Sequence, residues 1–230
     1  MKKWKRKYFT LCLFTCWSLA AGLSCSSCGV AGLVASPTRH ERKIKAEYDL
    51  AGHKSEKMLV LVDQPAWLNA QVNLRYHLTN RIAEGLAVKF KMPSESLISY
   101  DRLSEFRSNR PDFAMLSPAE IGAALNAASV LLVRINYYSL VEMADSGYFK
   151  GLLSAECALF DAATGKKLWP EYGESKSVTV GFEVESRGQA AAVERLAGAL
   201  THCIIRYFYD CPEDKFKISE DRSDIAREGW

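Results

Sequence analysis

Two cysteines at C-x-x-C spacing, Cys25-Ser-Ser-Cys28, are the pair in this chain best placed by spacing to do chemistry. Thiols so spaced can cycle between dithiol and disulfide, or supply half of a zinc site. A zinc site needs a second such pair or two spaced histidines, and neither accompanies this one. The four histidines, His40, His53, His77 and His202, are scattered along the chain. Gly165-Lys166 suggests a phosphate loop, but that loop requires an earlier glycine and a Ser or Thr after the lysine. Asp161 and Ala162 stand upstream instead, and Lys167 follows. No G-x-S-x-G elbow, H-E-x-x-H or strand-linked G-x-G-x-x-G occurs. Asp49, Asp63 and Asp101 are isolated acids that turns and helix caps account for. The sequence therefore offers no catalytic, cofactor-binding or metal-ligating residue, and no cofactor is expected.

What stands in front of Cys25 gives that cysteine a different chemistry. Lys2, Lys3, Lys5, Arg6 and Lys7 precede an apolar run, Tyr8–Leu23, of signal-peptide length. The run is marginal against the roughly 20 residues a membrane span needs. Small residues and cysteine follow it, not a basic stop-transfer cluster. Gly22-Leu23-Ser24-Cys25 resembles the lipobox of bacterial lipoproteins, in which the cysteine is acylated and becomes the first residue. That family prefers a branched apolar residue where Gly22 stands. Lipidation at Cys25 is favoured over an ordinary cleaved signal and over an uncleaved anchor. The expected division is a signal peptide at 1–24, a lipidated N-terminus and flexible tether at 25–55, a folded domain at 56–211 and a charged tail at 212–230.

Charge agrees with this division. The formal net charge is +3, yet five positive charges sit in residues 1–7 and no acid occurs before residue 25, so the remainder carries −2. Such a body has no basic excess to neutralise phosphates, which argues against a nucleic-acid binder. Hydrophobic residues make up 48% of the chain and charged residues 25%, ordinary for a globular protein. In an oxidising envelope space, Cys157, Cys203 and Cys211 are disulfide candidates beside Cys28, while the apolar surroundings of Cys157 and Cys203 also suit buried thiols.

The elements that would position any site are legible downstream. Lys57–Pro65, KMLVLVDQP, is a continuous apolar run closed by turn formers, the mark of a strand buried on both faces. Leu74, Leu78, Ile82 and Leu86 then recur every four residues, one stripe of a long helix that leaves His77 off it. Glu95–Ser108 mixes a short strand with a helical turn beginning near Asp101. Ser117-Pro-Ala-Glu120 is a capping box opening a short helix over 118–127. Ser129–Leu140 reads as a second central strand. Leu153, Ala155, Cys157 and Leu159 alternate as in a strand with two distinct faces. DAATGKK is a hairpin loop with Gly165 supplying positive φ. Ser177–Glu185 alternates as a further strand. Ser186-Arg-Gly-Gln189 reads as another capping box, before a helix with its stripe at Val193, Leu196, Ala197, Leu200, Ile204 and Phe208 and with His202 beside it.

The order strand, long helix, strand, short helix, strand, hairpin strands, long helix, behind a lipobox, resembles a group of bacterial envelope lipoproteins and related domains. They are the penicillin-binding-protein activator lipoproteins, the curli secretion lipoprotein and the N-terminal domain of TolB. MLVLVD, EIGAALNAASVLLVRI (Glu120–Ile135) and LFDAATGKKLW (Leu159–Trp169) carry the resemblance, over about residues 57–210. It implies an α/β (α+β) fold: a single mixed β-sheet with two long helices packed on it and a β-hairpin. It also implies a lipid-anchored protein facing the periplasm that binds envelope proteins in cell-envelope assembly. A subunit of a secretion or transport assembly is the second expectation, and an enzyme with an unrecognised site the third. Whether a small-molecule ligand is bound is left open by the sequence.

Overall fold

The computed structural model describes residues 42–69, 71–143 and 147–216. The signal segment, Cys25, Cys28, His40 and the tail beyond 216 lie outside the described residues. The body is built on a mixed five-stranded sheet. Strands β2 (Met58–Asp63) and β3 (Ser129–Met143) run parallel, and β4 (Tyr148–Asp161) returns antiparallel to β3. Two strands share the far edge of β4: β5 (Lys167–Trp169) near its C-terminal end, and β6 (Lys176–Glu185) along the rest. A separate two-residue ladder joins β1 (Lys43–Ile44) to β7 (Cys211–Pro212).

The parallel pair needs a crossover, and residues 64–128 supply it with three helices: α1 (Leu74–Phe90), α2 (Tyr100–Ser108) and α3 (Pro118–Ala124). The last long helix, α4, is Gln189–Ile205, and a short α5, Glu213–Phe216, follows β7. The main core lies where α1 and α4 cover one sheet face. Leu74, Leu78, Ile82 and Leu86 of α1 meet Leu196, Leu200 and Ile204 of α4 and Val60, Val133 and Val180 of the sheet. A smaller core on the opposite face joins Leu59 and Leu61 to Leu103 of α2 and Ile121 of α3. Met58–Val62 are accordingly all buried, as a strand covered on both faces requires.

Local chemistry explains several boundaries. Ser117 Oγ accepts from the Glu120 N–H while the Glu120 carboxylate accepts from the Ser117 N–H, so the capping box that starts α3 forms at both ends. Asp161 Oδ1 accepts from the N–H and hydroxyl of Thr164, and Gly165 takes φ +70°, which closes the hairpin loop. At α4 the sequence expectation fails. Gly188, with φ +97°, precedes the first helical residue and no side chain caps the end. Ser186 is buried, and its Oγ has no hydrogen-bond partner.

Both ends of the folded body also differ from expectation. Residues 42–50 are tied to the body in place of a free tether, while 51–55 are exposed. Leu50 is 2% exposed, and the Glu47 N–H donates to the Tyr207 carbonyl. Glu47 also accepts from Trp169 Nε1 at 2.9 Å and from Lys176 Nζ at 2.6 Å. Residues 212–216 are likewise folded: Phe216 sits edge-on to Tyr207, 5.5 Å between centroids. The three cysteines taken as disulfide candidates are not joined to one another. Cys157 and Cys203 face the apolar core from β4 and α4, and the Cys211 thiol donates to the Tyr209 hydroxyl at 3.5 Å. Burial pushes the Cys157 thiol up, away from the reactive thiolate.

Candidate functional site

Strand lengths decide where the sheet is bare. β2 ends at Asp63, opposite Arg134, whereas β3 runs nine residues further along β4. Beyond that point, among the described residues, no strand pairs with the outer edge of β3, and β6 pairs only with β4. The far half of the sheet is thus a three-stranded ribbon with two unpaired edges.

A β-bulge sets which side chains line this ribbon. Arg134 lies opposite Glu156 and Tyr137 opposite Ser154, so three steps on β3 match two on β4. Asn136 absorbs the extra residue and shifts the alternation by one. Tyr138 therefore points into the core with Phe149, Leu153 and Phe182. Tyr137, Ser139, Val141 and Met143 point the other way, beside Tyr148, Lys150 and Leu152 of β4. The inner face of the ribbon is covered: Leu196 of α4 approaches so closely that a Cβ on Gly151 would lie 3.4 Å from it. The outer face has no such cover among the described residues, because α2 and α3 end their packing over β2 and the near part of β3.

The result is a shallow open trough of about 810 Å³. Tyr137 (49% exposed), Val141 (56%), Met143 (38%), Tyr148 (46%) and Leu152 (38%) line it. Lys150 and Glu183 pair across it at 2.9 Å, both largely in solvent, so this pair adds little stability. Five large apolar side chains in one contiguous patch, flanked by unpaired strand edges, offer contact area and backbone hydrogen-bonding groups together.

The residues singled out by sequence lie elsewhere. His77 and Glu194 bring α1 and α4 together, Nδ1 to Oε1 at 2.5 Å, and Arg81 Nε reaches Glu194 Oε2 at 2.9 Å. Burial alone would raise the Glu194 carboxyl; its hydrogen bonds to Arg81 and His77 outweigh this and hold it below its ordinary value. The cluster closes on itself as a clasp between helices. His202 is buried with Nε2 3.3 Å from the Lys215 carbonyl, and burial, helped by the charges of Arg206, Lys89 and Lys215, lowers its pKa. His53 pairs with Glu56 at the surface. Asp63 is bound by Arg134 at 3.4 Å. Among the described residues no three His, Cys, Asp or Glu side chains converge as a metal site, and no helix is long and apolar enough to cross a membrane.

Sequence reading passed over Tyr137, Val141, Met143, Tyr148 and Leu152. Their signal was the alternation of Tyr137, Ser139, Val141 and Met143, which runs past the expected strand end at Leu140 and is visible only once the bulge is placed.

No family model matches the chain, and no curated protein matches it. Among solved structures it is similar to the lipoprotein GNA1162 of Neisseria meningitidis, at 18% identity, covering 65% of this chain and 97% of that one, with a TM-score of 0.41. It is similar also to PelC of Paraburkholderia phytofirmans, solved as a dodecamer, at 14% identity over 64% and 86% of the two chains, TM-score 0.39. The hypothetical protein CT253 of Chlamydia trachomatis matches at 17% identity over 55% and 73%, TM-score 0.30.

Proposed function

We propose that this chain is a lipid-anchored protein of the cell envelope whose domain faces the periplasm and binds other envelope proteins through the bare half of its sheet. The observation that carries the reading is the trough: five half-exposed apolar side chains between two unpaired strand edges, on a body with no comparable bare sheet face elsewhere among its described residues. Gly22-Leu23-Ser24-Cys25 supports the anchor, and the multiple acyl chains of a lipoprotein hold a membrane more firmly than one chain can. A tether of this kind confines the domain to one surface and raises its effective concentration near partners there. The resemblance to the penicillin-binding-protein activator lipoproteins fits the same role, which includes no catalytic step.

Two experiments test the two parts. Cys25→Ala in the full chain is expected to lose the acyl mass and leave the membrane fraction; retention of both overturns the anchor. A photoreactive residue at position 141 is expected to crosslink envelope proteins, whereas one at the still more exposed position 88 on α1 does not. The pair Val141→Glu and Leu152→Glu should weaken the captured interaction tenfold or more, as loss of one or two interface hot spots does. Unchanged capture overturns the docking face. A large detergent-stable ring of this chain alone would move the reading to a subunit of a secretion or transport assembly.

A further inference from the structure

On the same sheet face as the trough but at the end of β2, the sheet meets the α2–α3 loop around a cleft of about 190 Å³. Leu61, Phe113 and Leu132 give it apolar walls, and Asp63, Arg107 and Arg134 contribute charge. Its position is the carboxyl end of the only parallel strand pair among the described residues, where open α/β sheets commonly bind ligands.

The charges do not balance. Asp63, the carboxylate in the lining, is engaged by Arg134 at 3.4 Å. Arg107, in the last turn of α2, is half-buried with its guanidinium carbon 4.7 Å from the centroid of the Phe113 ring. Among the described residues no carboxylate lies within 4 Å of it, and its side chain donates no hydrogen bond. Burial first, then the nearby Arg75, lowers its pKa, while Tyr100 and Asp63 oppose them. Arg75 is spent on the Gln64 carbonyl and Asn69, and its Nε is buried without a partner. A planar guanidinium held over an aromatic ring, with five donors and no acceptor, is prepared for a carboxylate.

We propose that this cleft binds a small organic carboxylate, its charged end on Arg107 and a short apolar body between Leu61, Phe113 and Leu132. The volume equals that of about six water molecules at roughly 30 Å³ each, enough for a chain of a few carbons. The apolar walls favour an acid with a hydrocarbon body over inorganic phosphate. The proposal is independent of the docking face, whose residues it does not share.

The test uses the full chain with hexanoate as the probe, followed by amide chemical shifts. Saturable shifts at residues 61–63, 107 and 113–121 are expected. Arg107→Met, which keeps an unbranched apolar stem over Phe113, should weaken binding at least tenfold. Arg107→Lys should weaken it less, and Arg195→Met on α4 should leave it unchanged. The folded spectrum of each variant is recorded first, and Arg107→Lys carries the comparison if Arg107→Met does not fold. Binding of 1-hexanol as tight as hexanoate, equal binding of phosphate, or no loss in either Arg107 variant overturns the proposal.

Discussion

Gly122→Ala tests the packing of the smaller core. A Cβ on Gly122 would stand 2.3 Å from Val130 Cγ2 and 3.0 Å from Ala162 Cβ. Carbon atoms pack at about 3.5–4.0 Å, so the first contact falls short by more than 1 Å. Neither neighbour gives way easily: Val130 is fully buried in β3 and β-branched, hence stiff at χ1, and the Ala162 Cβ moves only with its backbone. Overpacking of this kind costs about 1–3 kcal/mol, and alanine in place of a helical glycine returns up to about 1 kcal/mol. With a 2.3 Å contact against two stiff neighbours the overpacking falls in the upper half of that range, so the expected net loss is about 1–3 kcal/mol, which for a body of this size lowers Tm by about 2–4 °C per kcal/mol. Denaturant melts of Gly122→Ala, Val130→Ala and the double variant form a cycle. Because Val130→Ala removes the obstructing methyl, the two changes should couple by about 1 kcal/mol or more. A neutral or stabilising Gly122→Ala, or strict additivity, would refute the reasoning.

Two further expectations concern stability. Glu47→Ala strands the buried Trp169 Nε1 and should cost about 1–3 kcal/mol, with faster amide exchange at residues 47 and 48; Glu47→Gln keeps an acceptor and should cost less. His202 is held neutral by burial among Arg206, Lys89 and Lys215, so its folded pKa lies below the unfolded value near 6.5. The unfolded state then binds the proton first, and stability should fall as pH drops below about 6.5. His202→Gln, which retains a donor for the Lys215 carbonyl, should flatten that part of the profile measured by thermal melts.

Most of the framework was legible because its signals are local. MLVLV announces a strand covered twice, the four-residue recurrence from Leu74 to Leu86 announces a helix face, and Asp161 with Gly165 announces a turn. The misses depend on partners far along the chain. Residues 42–50 look like tether until Glu47 meets Trp169, 122 residues away. Ser186-Arg-Gly-Gln189 has the spelling of a capping box, but Gly188 at positive φ starts the helix and buries the serine instead. The trough was hidden for the same reason: the bulge at Asn136 is a register relation between two strands, and the bareness of the face depends on where a third strand stops. The Arg107 cleft required knowing that Arg134 already occupies Asp63.

The parallel pairing of β2 with β3 also orders assembly in time. β3 and β4 are neighbours in sequence and can zip as a hairpin with little loop entropy, and β6 can then add along β4. β2 is made before β3 and, apart from one bridge between Met58 and Leu97, must wait for residues 64–128 and then for β3 before its ladder can form. Non-local parallel pairing is slow for this reason. The strand that waits is Met58–Val62, five consecutive apolar residues, the kind of segment most prone to stray pairing while exposed. The step at which this chain is most vulnerable to aggregation is therefore the docking of its own first central strand.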